Sequence, residues 1–237
     1  MSHLFWPDII ALCFSILIST ALIIIVLGVT PRRVLNWAFA LFVLAETAWI
    51  GCALLLRFSL WLNPVLPAGT TIGNPDRWLE WMAVSIGLMS VFALLFTVLY
   101  LGRRNLRTDI TIIVGVLLVI AFAVPVFQHR LLLNPQIDAD GSIIEDVSIW
   151  GGIGAVLIIV YLGISLVFLW QERSRADTMH LAVGILILLV GVVAGGIFDA
   201  PFPFSMSVTN LVGVALIGYK VVAQQLFNPL REQTIVL

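Results

Sequence analysis

The stretch VLNWAFALFVLAETAWIGCALLL, Val34 to Leu56, decides the fold, because its 23 residues hold a single acid or base, Glu46. A helix of about 20 mostly apolar residues spans the hydrocarbon core of a bilayer, where no water can satisfy an unpaired backbone group. The stretch therefore reads as a membrane-spanning helix. Six more runs of the same kind lie around it, at about Ile9 to Val29, Arg77 to Leu101, Ile110 to Val126, Ser148 to Trp170, Thr178 to Phe198 and Phe204 to Leu226. Asp199-Ala-Pro201-Phe-Pro203 separates the last two, since two prolines and an acid cannot continue a lipid-facing helix. Seven spans occupy most of the 237 residues, so the expected architecture is all-α, a single seven-transmembrane helix bundle over 1–237 with no soluble domain. Composition agrees: 61% of residues are hydrophobic and 11% charged, against about 25% charged in an average soluble domain. Met1 to Asp8 lacks the basic leader of a secretory peptide, so the first run is expected to remain as a span.

The basic residues set the expected orientation. Arg32, Arg33, Arg103, Arg104, Arg107, Arg173, Arg175, Lys220 and Arg231 fall on one side of the bundle, and Arg57, Arg77 and Arg130 on the other. Nine against three places the first group in the cytoplasm, with the amino terminus outside and the carboxyl terminus inside, in a cell (inner) membrane. Trp6, Trp61, Trp78, Trp81 and Trp150 then form an outer interfacial belt, and Trp37 and Trp170 an inner one. A net charge of −1, with arginines spread along short loops, gives no footprint for nucleic acid. Cys13 and Cys52 fall at similar depth, which leaves a link between them open beside the simpler reading of two small buried apolar residues.

The inner connections, Thr30 to Arg33, Gly102 to Asp109 and Gln171 to Asp177, are too short to fold by themselves. The outer ones are longer. Arg57 to Asp76 is rich in Pro, Gly and Asn and reads as an irregular loop, while Gln128 to Val147 carries Asp140-Gly141 between alternating apolar residues, a signal for a small β-hairpin between the fourth and fifth helices. Asp138, Asp140, Glu145 and Asp146 lack the acid spacing of a twelve-residue calcium loop, so a solvated turn is expected and no metal site. Gly191 and Gly195, with Gly196 beside them, and Gly151, Gly152 and Gly154 mark surfaces for close helix packing, within the bundle or between protomers.

Glu46 stands near the middle of its span. An acid there costs about 2.5–3.5 kcal/mol on insertion scales for the related Asp, so it is expected to face the bundle interior, bonded to Ser85, Ser90 or Asn210 on neighbouring helices. Glu46, Trp49, Trp81 and Asn210 form the candidate ligand-binding lining, and Arg33, Arg103, Arg104, Arg107, Arg173, Arg175 and Arg231 the candidate docking face for a partner. Enzyme readings lack their parts. His3, His129 and His180 sit at loops or helix ends, so paired haem ligation has no ligands, and neither a His-Glu-x-x-His helix nor a base for a membrane serine protease is present. Lys220 lies about six residues from the inner end of the last helix with no mid-membrane acid in the third to serve as counterion, so it reads as a snorkelling lysine rather than a retinal anchor.

Several segments resemble the N-terminal seven-transmembrane sensory domain of bacterial and archaeal histidine kinases: Pro31-Arg-Arg-Val-Leu-Asn-Trp37 at the start of the second helix, Trp78-Leu-Glu-Trp81 through Phe96-Thr-Val-Leu-Tyr100-Leu-Gly102-Arg in the third, and Tyr219-Lys-Val-Val-Ala-Gln-Gln-Leu-Phe227-Asn-Pro229-Leu-Arg231 at the close. The resemblance implies a sensory input domain. With the chain ending at Leu237, six residues past Arg231, the expectation is a stand-alone module without the kinase. Two functions follow. One is a non-catalytic sensor that binds a small or lipidic ligand and signals through a separate cytoplasmic partner. The other is an accessory subunit of a larger redox or light-harvesting membrane complex, with no cofactor beyond bound lipid or pigment.

Overall fold

A computed structural model describes residues 5–29, 34–62, 75–128, 132–137, 143–147, 149–174, 176–197 and 206–227. Among these are seven helices, α1 (Phe5–Val29), α2 (Val34–Leu62), α3 (Pro75–Tyr100), α4 (Leu106–Phe127), α5 (Ile149–Gln171), α6 (Ala176–Ile197) and α7 (Met206–Phe227). Helices α1 to α5 are long and apolar enough to cross a membrane by length and composition, and α6 and α7 contain shorter apolar stretches, Thr178–Val193 and Val208–Ala223. Their outward faces are apolar too: Leu17, Ile24, Leu117 and Val156 are each more than half exposed. Continuous stripes of this kind are foreign to a water-soluble surface and suit acyl chains. The chain is a multi-pass helical membrane protein.

Local signals set the helix ends. Pro7 sits in the first turn of α1, where its missing N–H is an orphan anyway. Helix α2 continues to Leu62, past the expected end at Leu56, because Arg57 is paired with Asp8 of α1 and also donates to the Ala53 carbonyl at 3.3 Å. At the end of α3, Gly102 takes φ of +64°, a left-handed conformation that glycine adopts without a Cβ clash. The Gly102 N–H then bonds the Leu99 carbonyl at 3.2 Å and the Arg103 N–H the Val98 carbonyl at 3.0 Å, the paired bonds of a Schellman ending. Helix α4 starts at Leu106 rather than the expected Ile110, because Asn105 caps it: Asn105 Oδ1 accepts from the Thr108 N–H at 3.0 Å, and Thr108 Oγ1 accepts from the Asn105 N–H at 2.9 Å.

The helices close into a ring in which α1 packs on α2, α2 on α3, α3 on α5, α5 on α6, α6 on α7 and α7 back on α1. Helix α4 lies outside the ring against α3, with a lighter contact to α5. Phe39 and Phe42 of α2 meet Phe96 of α3 at ring centroids 5.4 and 6.4 Å apart, in a core that also takes in Met89, Leu162, Leu181, Ile185 and Ile217. A second cluster of Val91, Leu94 and Val98 with Ile112, Val119 and Tyr161 joins α4 to α3 and α5. Strands β1 (Leu132–Ile137) and β2 (Ile143–Val147) pair antiparallel, from Leu132 opposite Val147 to Ile137 opposite Ile143. The register shifts between Leu133 and Gln136, where Pro135 has no N–H to give the ladder. Asp138, Asp140 and Gly141 lie outside the described residues, as do 63–74 of the outer loop and Asp199 to Pro203.

Small residues bring helices together inside the bundle. A Cβ on Gly184 of α6 would lie 2.5 Å from Ile217 Cγ1 and 3.0 Å from the Gly213 carbonyl oxygen of α7. One on Gly191 would strike the Thr209 hydroxyl, so this half of the expected Gly-x-x-x-Gly pair faces α7 within the same chain. The surroundings of Gly195 and Gly196 fall outside the description. A Cβ on Gly154 of α5 would lie 2.6 Å from the Phe122 ring of α4, whereas one on Gly152 would meet nothing within 4 Å. Cys13 is exposed on the lipid-facing side of α1 rather than buried, and Cys52 is half-buried; both are free thiols.

Gly184→Ala is expected to lower stability by about 1–3 kcal/mol through overpacking, while Gly51→Ala, with nothing within 4 Å of its Cβ position, is expected to be neutral or stabilising. Unfolding of the two variants in the same detergent, followed by tryptophan fluorescence, measures the difference.

Candidate functional site

Glu46 is fully buried halfway along α2. Residues three, four and seven positions away share its helix face, and Phe39, Phe42, Val43, Trp49, Ile50 and Ala53 are all buried. That rotation turns the carboxyl away from lipid and toward two other helices. Ser19 of α1 donates to Oε2 at 2.8 Å, and the amide Nδ2 of Asn210 of α7 donates to Oε1. Ser15, one turn before Ser19, is turned toward the same carboxyl. The Thr47 hydroxyl donates its one proton to the Val43 carbonyl at 2.7 Å and lies 3.4 Å from Glu46 Oε2.

Three buried polar atoms have no hydrogen-bond partner among the described residues: Ser15 Oγ, Asn210 Oδ1 and, one turn along α2, the indole Nε1 of Trp49. Buried groups of this kind are normally satisfied, and leaving one unmet costs about 1–3 kcal/mol. The partners of Glu46 are neutral donors. The nearest arginine along α2, Arg57, is engaged by Asp8 at the end of the bundle where Trp6 and Trp61 meet edge to face at 6.3 Å. No group of three or more His, Cys, Asp or Glu that could hold a metal occurs among the described residues.

Of the expected lining, Glu46 and Asn210 come together and Trp49 lies buried one turn along α2. Trp81 does not join them: it is 51% exposed at the other side of the ring, its ring edge-on to Phe127 of α4 at 4.9 Å. Ser90 is no partner of Glu46 either, since its hydroxyl bonds the Gly87 carbonyl of its own helix at 2.8 Å. Sequence reasoning missed Ser15 and Ser19. The signal was their spacing of four in an otherwise apolar helix, which puts two hydroxyls on one face.

The expected docking arginines divide. Arg103 is committed within the chain, bonding Gln171 and Glu172 of the α5 end at 2.6 Å each and lying 5.8 Å from the Phe168 ring. Arg104 pairs with Asp109 at 3.2 Å, Arg173 stacks over Trp170 at 5.5 Å, and Arg107 is exposed. Arg33, Arg175 and Arg231 lie outside the described residues. No protein-family model matches the sequence, and no curated protein matches it significantly.

In a double-mutant cycle, Glu46→Gln and Ser19→Ala are expected to couple by about 0.5–3 kcal/mol because they share a bond, whereas Glu46→Gln and Ser90→Ala are expected to add. Equilibrium unfolding of each single and double variant in mixed micelles gives both numbers.

Proposed function

We propose that the chain is a sensory membrane module whose input site is the Glu46 cluster. The observation behind this reading is the buried carboxyl joined to α1 and α7 with Ser15 Oγ, Asn210 Oδ1 and Trp49 Nε1 left over. Packing alone would be served by apolar side chains, and polar groups kept inside a membrane bundle commonly mark a functional site. A small or lipidic ligand with both donors and acceptors can complete the set that the helices leave open. The resemblance of the three sequence segments to kinase-linked sensory domains supports the same reading.

In this proposal all seven helices span the inner membrane, α6 and α7 included, with the amino-terminal end of α1 outside and the β1–β2 pair over the outer face. The output passes to a separate protein docked on the inner face, where Arg104, Arg107 and Arg173 lie near the ends of α3, α4 and α5. The orientation is tested in a Cys13→Ala, Cys52→Ala background. Asp76→Cys is expected to react with a membrane-impermeant maleimide in intact cells, and Arg107→Cys only after permeabilisation. The reverse pattern would invert the topology.

The sensory role is tested by what the protein carries out of the membrane. Purification in mild detergent from native membranes is expected to bring a cytoplasmic signalling protein, and Glu46→Gln to change the amount retained at least several-fold. Co-purification instead with a stoichiometric redox or light-harvesting assembly, unaffected by Glu46→Gln, would replace the sensor with an accessory subunit.

A further inference from the structure

We infer that Glu46 is a proton-binding site reached from one end of the bundle only, the end where Asp8 meets Arg57, and that its proton sets how firmly α1 and α7 are held to α2. The inference deepens the sensory reading by naming what the site takes up, and rests on that reading only for its consequence. The site and its route are argued from where polar and apolar groups fall.

The groups bonded to the carboxyl suit both of its forms. As carboxylate it accepts from the Ser19 hydroxyl at 2.8 Å and from the Asn210 amide. A hydroxyl both donates and accepts, and an amide offers its carbonyl oxygen once it is turned over, so the same two side chains can take a hydrogen from the carboxylic acid. Arginine and lysine only donate and would hold the group ionised. Neither stands close. Arg57, eleven residues along α2, is held by Asp8, and Lys220, with the exposed Tyr219 beside it, is ten residues along α7 from Asn210; each is about 15 Å or more away along the helix axes. On α3 the Phe96 ring meets Phe42, one turn from Glu46. Tyr100 lies on the far side of Phe96, and Glu80, sixteen residues the other way, is roughly 18 Å past Glu46, with Asp76 and Arg77 farther still. Cys13 is exposed, and Cys52 is a third of a turn round α2 from Glu46. Taking one proton from the aqueous phase makes the carboxylate an uncharged acid and removes the cost of a charge in apolar surroundings. Giving it back restores two charge-assisted bonds, each about twice as strong as its neutral counterpart.

The route is read from the faces that meet between α1 and α2. Ser19 touches Glu46 and, eleven residues away on both helices, Asp8 touches Arg57, so the residues between these contacts face one another over about 16 Å. Ser15 Oγ and Trp49 Nε1 lie in this stretch, both buried and both without a partner among the described residues. A serine hydroxyl can pass a proton on, and an indole N–H can hold a water beside it. In the other direction from Glu46 the buried residues are Leu22 and Val26 of α1 and Phe39, Phe42 and Val43 of α2, apolar until Asn36 meets the Val26 carbonyl. Polar atoms lead to one end, and hydrocarbon closes the other. In the proposed orientation the open end is the outer one, so the proton that Glu46 takes up comes from outside.

The test follows Glu46 itself, by infrared difference spectroscopy of the full chain in lipid nanodiscs, wild type minus Glu46→Gln. The wild type is expected to show a carboxylic C=O band that Glu46→Gln lacks, that shifts in D₂O, and that gives way to carboxylate between about pH 5 and about pH 9, a range spanning ordinary and buried carboxyls. Should Glu46→Gln fail to fold, Glu46→Asp, which keeps the acid and moves the band, decides. In proteoliposomes whose orientation is assigned by maleimide labelling of Asp76→Cys, a pH jump on the Asp76 side is expected to change the band at least several-fold faster than one on the Arg107 side. Ser15→Ala, which breaks no hydrogen bond seen in the structure, is expected to slow that change several-fold, and Ser90→Ala to leave it as in the wild type. A Glu46 band that is absent or constant across the range overturns the proton site. Equal rates from both sides, or a wild-type rate in Ser15→Ala, overturn the route. A titrating band with partner retention insensitive to Glu46→Gln leaves the proton site standing without the sensor; partner retention sensitive to Glu46→Gln with no titrating band leaves the sensor standing without the proton.

Discussion

A carboxyl group halfway along an apolar helix has to be met by donors from other helices, and Glu46 is met by Ser19 of α1 and Asn210 of α7. Much of the bundle is consistent with that one requirement. It sets the rotation of α2, since the face that carries Glu46 also carries Phe39, Phe42, Val43, Trp49 and Ile50, all buried, while Trp37, Leu41, Leu44 and Leu55 are turned outward. It also demands that α1 and α7 stand side by side. The ring order α7, α1, α2 supplies this, although α1 and α7 are the most distant helices in the sequence.

Lipid offers no hydrophobic drive for one apolar helix to prefer another, so helix contacts in a membrane rest on close packing of small residues and on polar bonds. Helix α7 uses both. Gly218 faces Leu22 of α1, Gly213 and Thr209 face Gly184, Leu188 and Gly191 of α6, and Asn210 reaches across to Glu46. The residues that could bind a ligand therefore stand on a closely packed seam, where a shift in one helix cannot be taken up by slack side chains.

The seven helices were legible in the sequence because length and apolarity favour a helix in lipid, and the inward rotation of Glu46 followed from the cost of the alternative. Asn210 was legible by depth. What the sequence withheld was mutual rotation and neighbourhood. Ser85 and Ser90 lie on a helix packed against α2, yet it is the serines of α1 that face the carboxyl. Trp81 lies on the same helix, but its exposed face belongs to the lipid boundary. Arg103 could not be read as a clasp, because its partners Gln171 and Glu172 are nearly seventy positions away and meet it only once α3 packs on α5. Helix ends deviated where side-chain pairing extended them: Asp8 with Arg57 on α2, Asn105 with Thr108 on α4.

The polar bonds divide the bundle into two halves of different character. On the α3, α4 and α5 side they cluster at the helix ends: the Schellman turn at Gly102, the cap at Asn105 and the Arg103 clasp tie three helices at one level, and the Tyr161 hydroxyl adds a bond to the Thr111 carbonyl of α4 at 2.9 Å. On the α1, α2 and α7 side Ser19 and Asn210 meet one carboxyl at mid-depth, while Asp8 with Arg57 and the Asn36 amide on the Val26 carbonyl at 3.4 Å tie α1 to α2 near their two ends. Whatever alters the bonding of Glu46 acts on contacts among α1, α2 and α7, away from the tied ends of α3, α4 and α5. In the proposed sensory role the mid-depth contacts of Glu46 would change against the tied ends of α3, α4 and α5, because relative motion between helices needs a fixed reference as well as a switchable contact. In the proposed orientation α7 runs from Asn210 toward the cytoplasm, so a displacement of α7 would carry a change at Glu46 to the inner face.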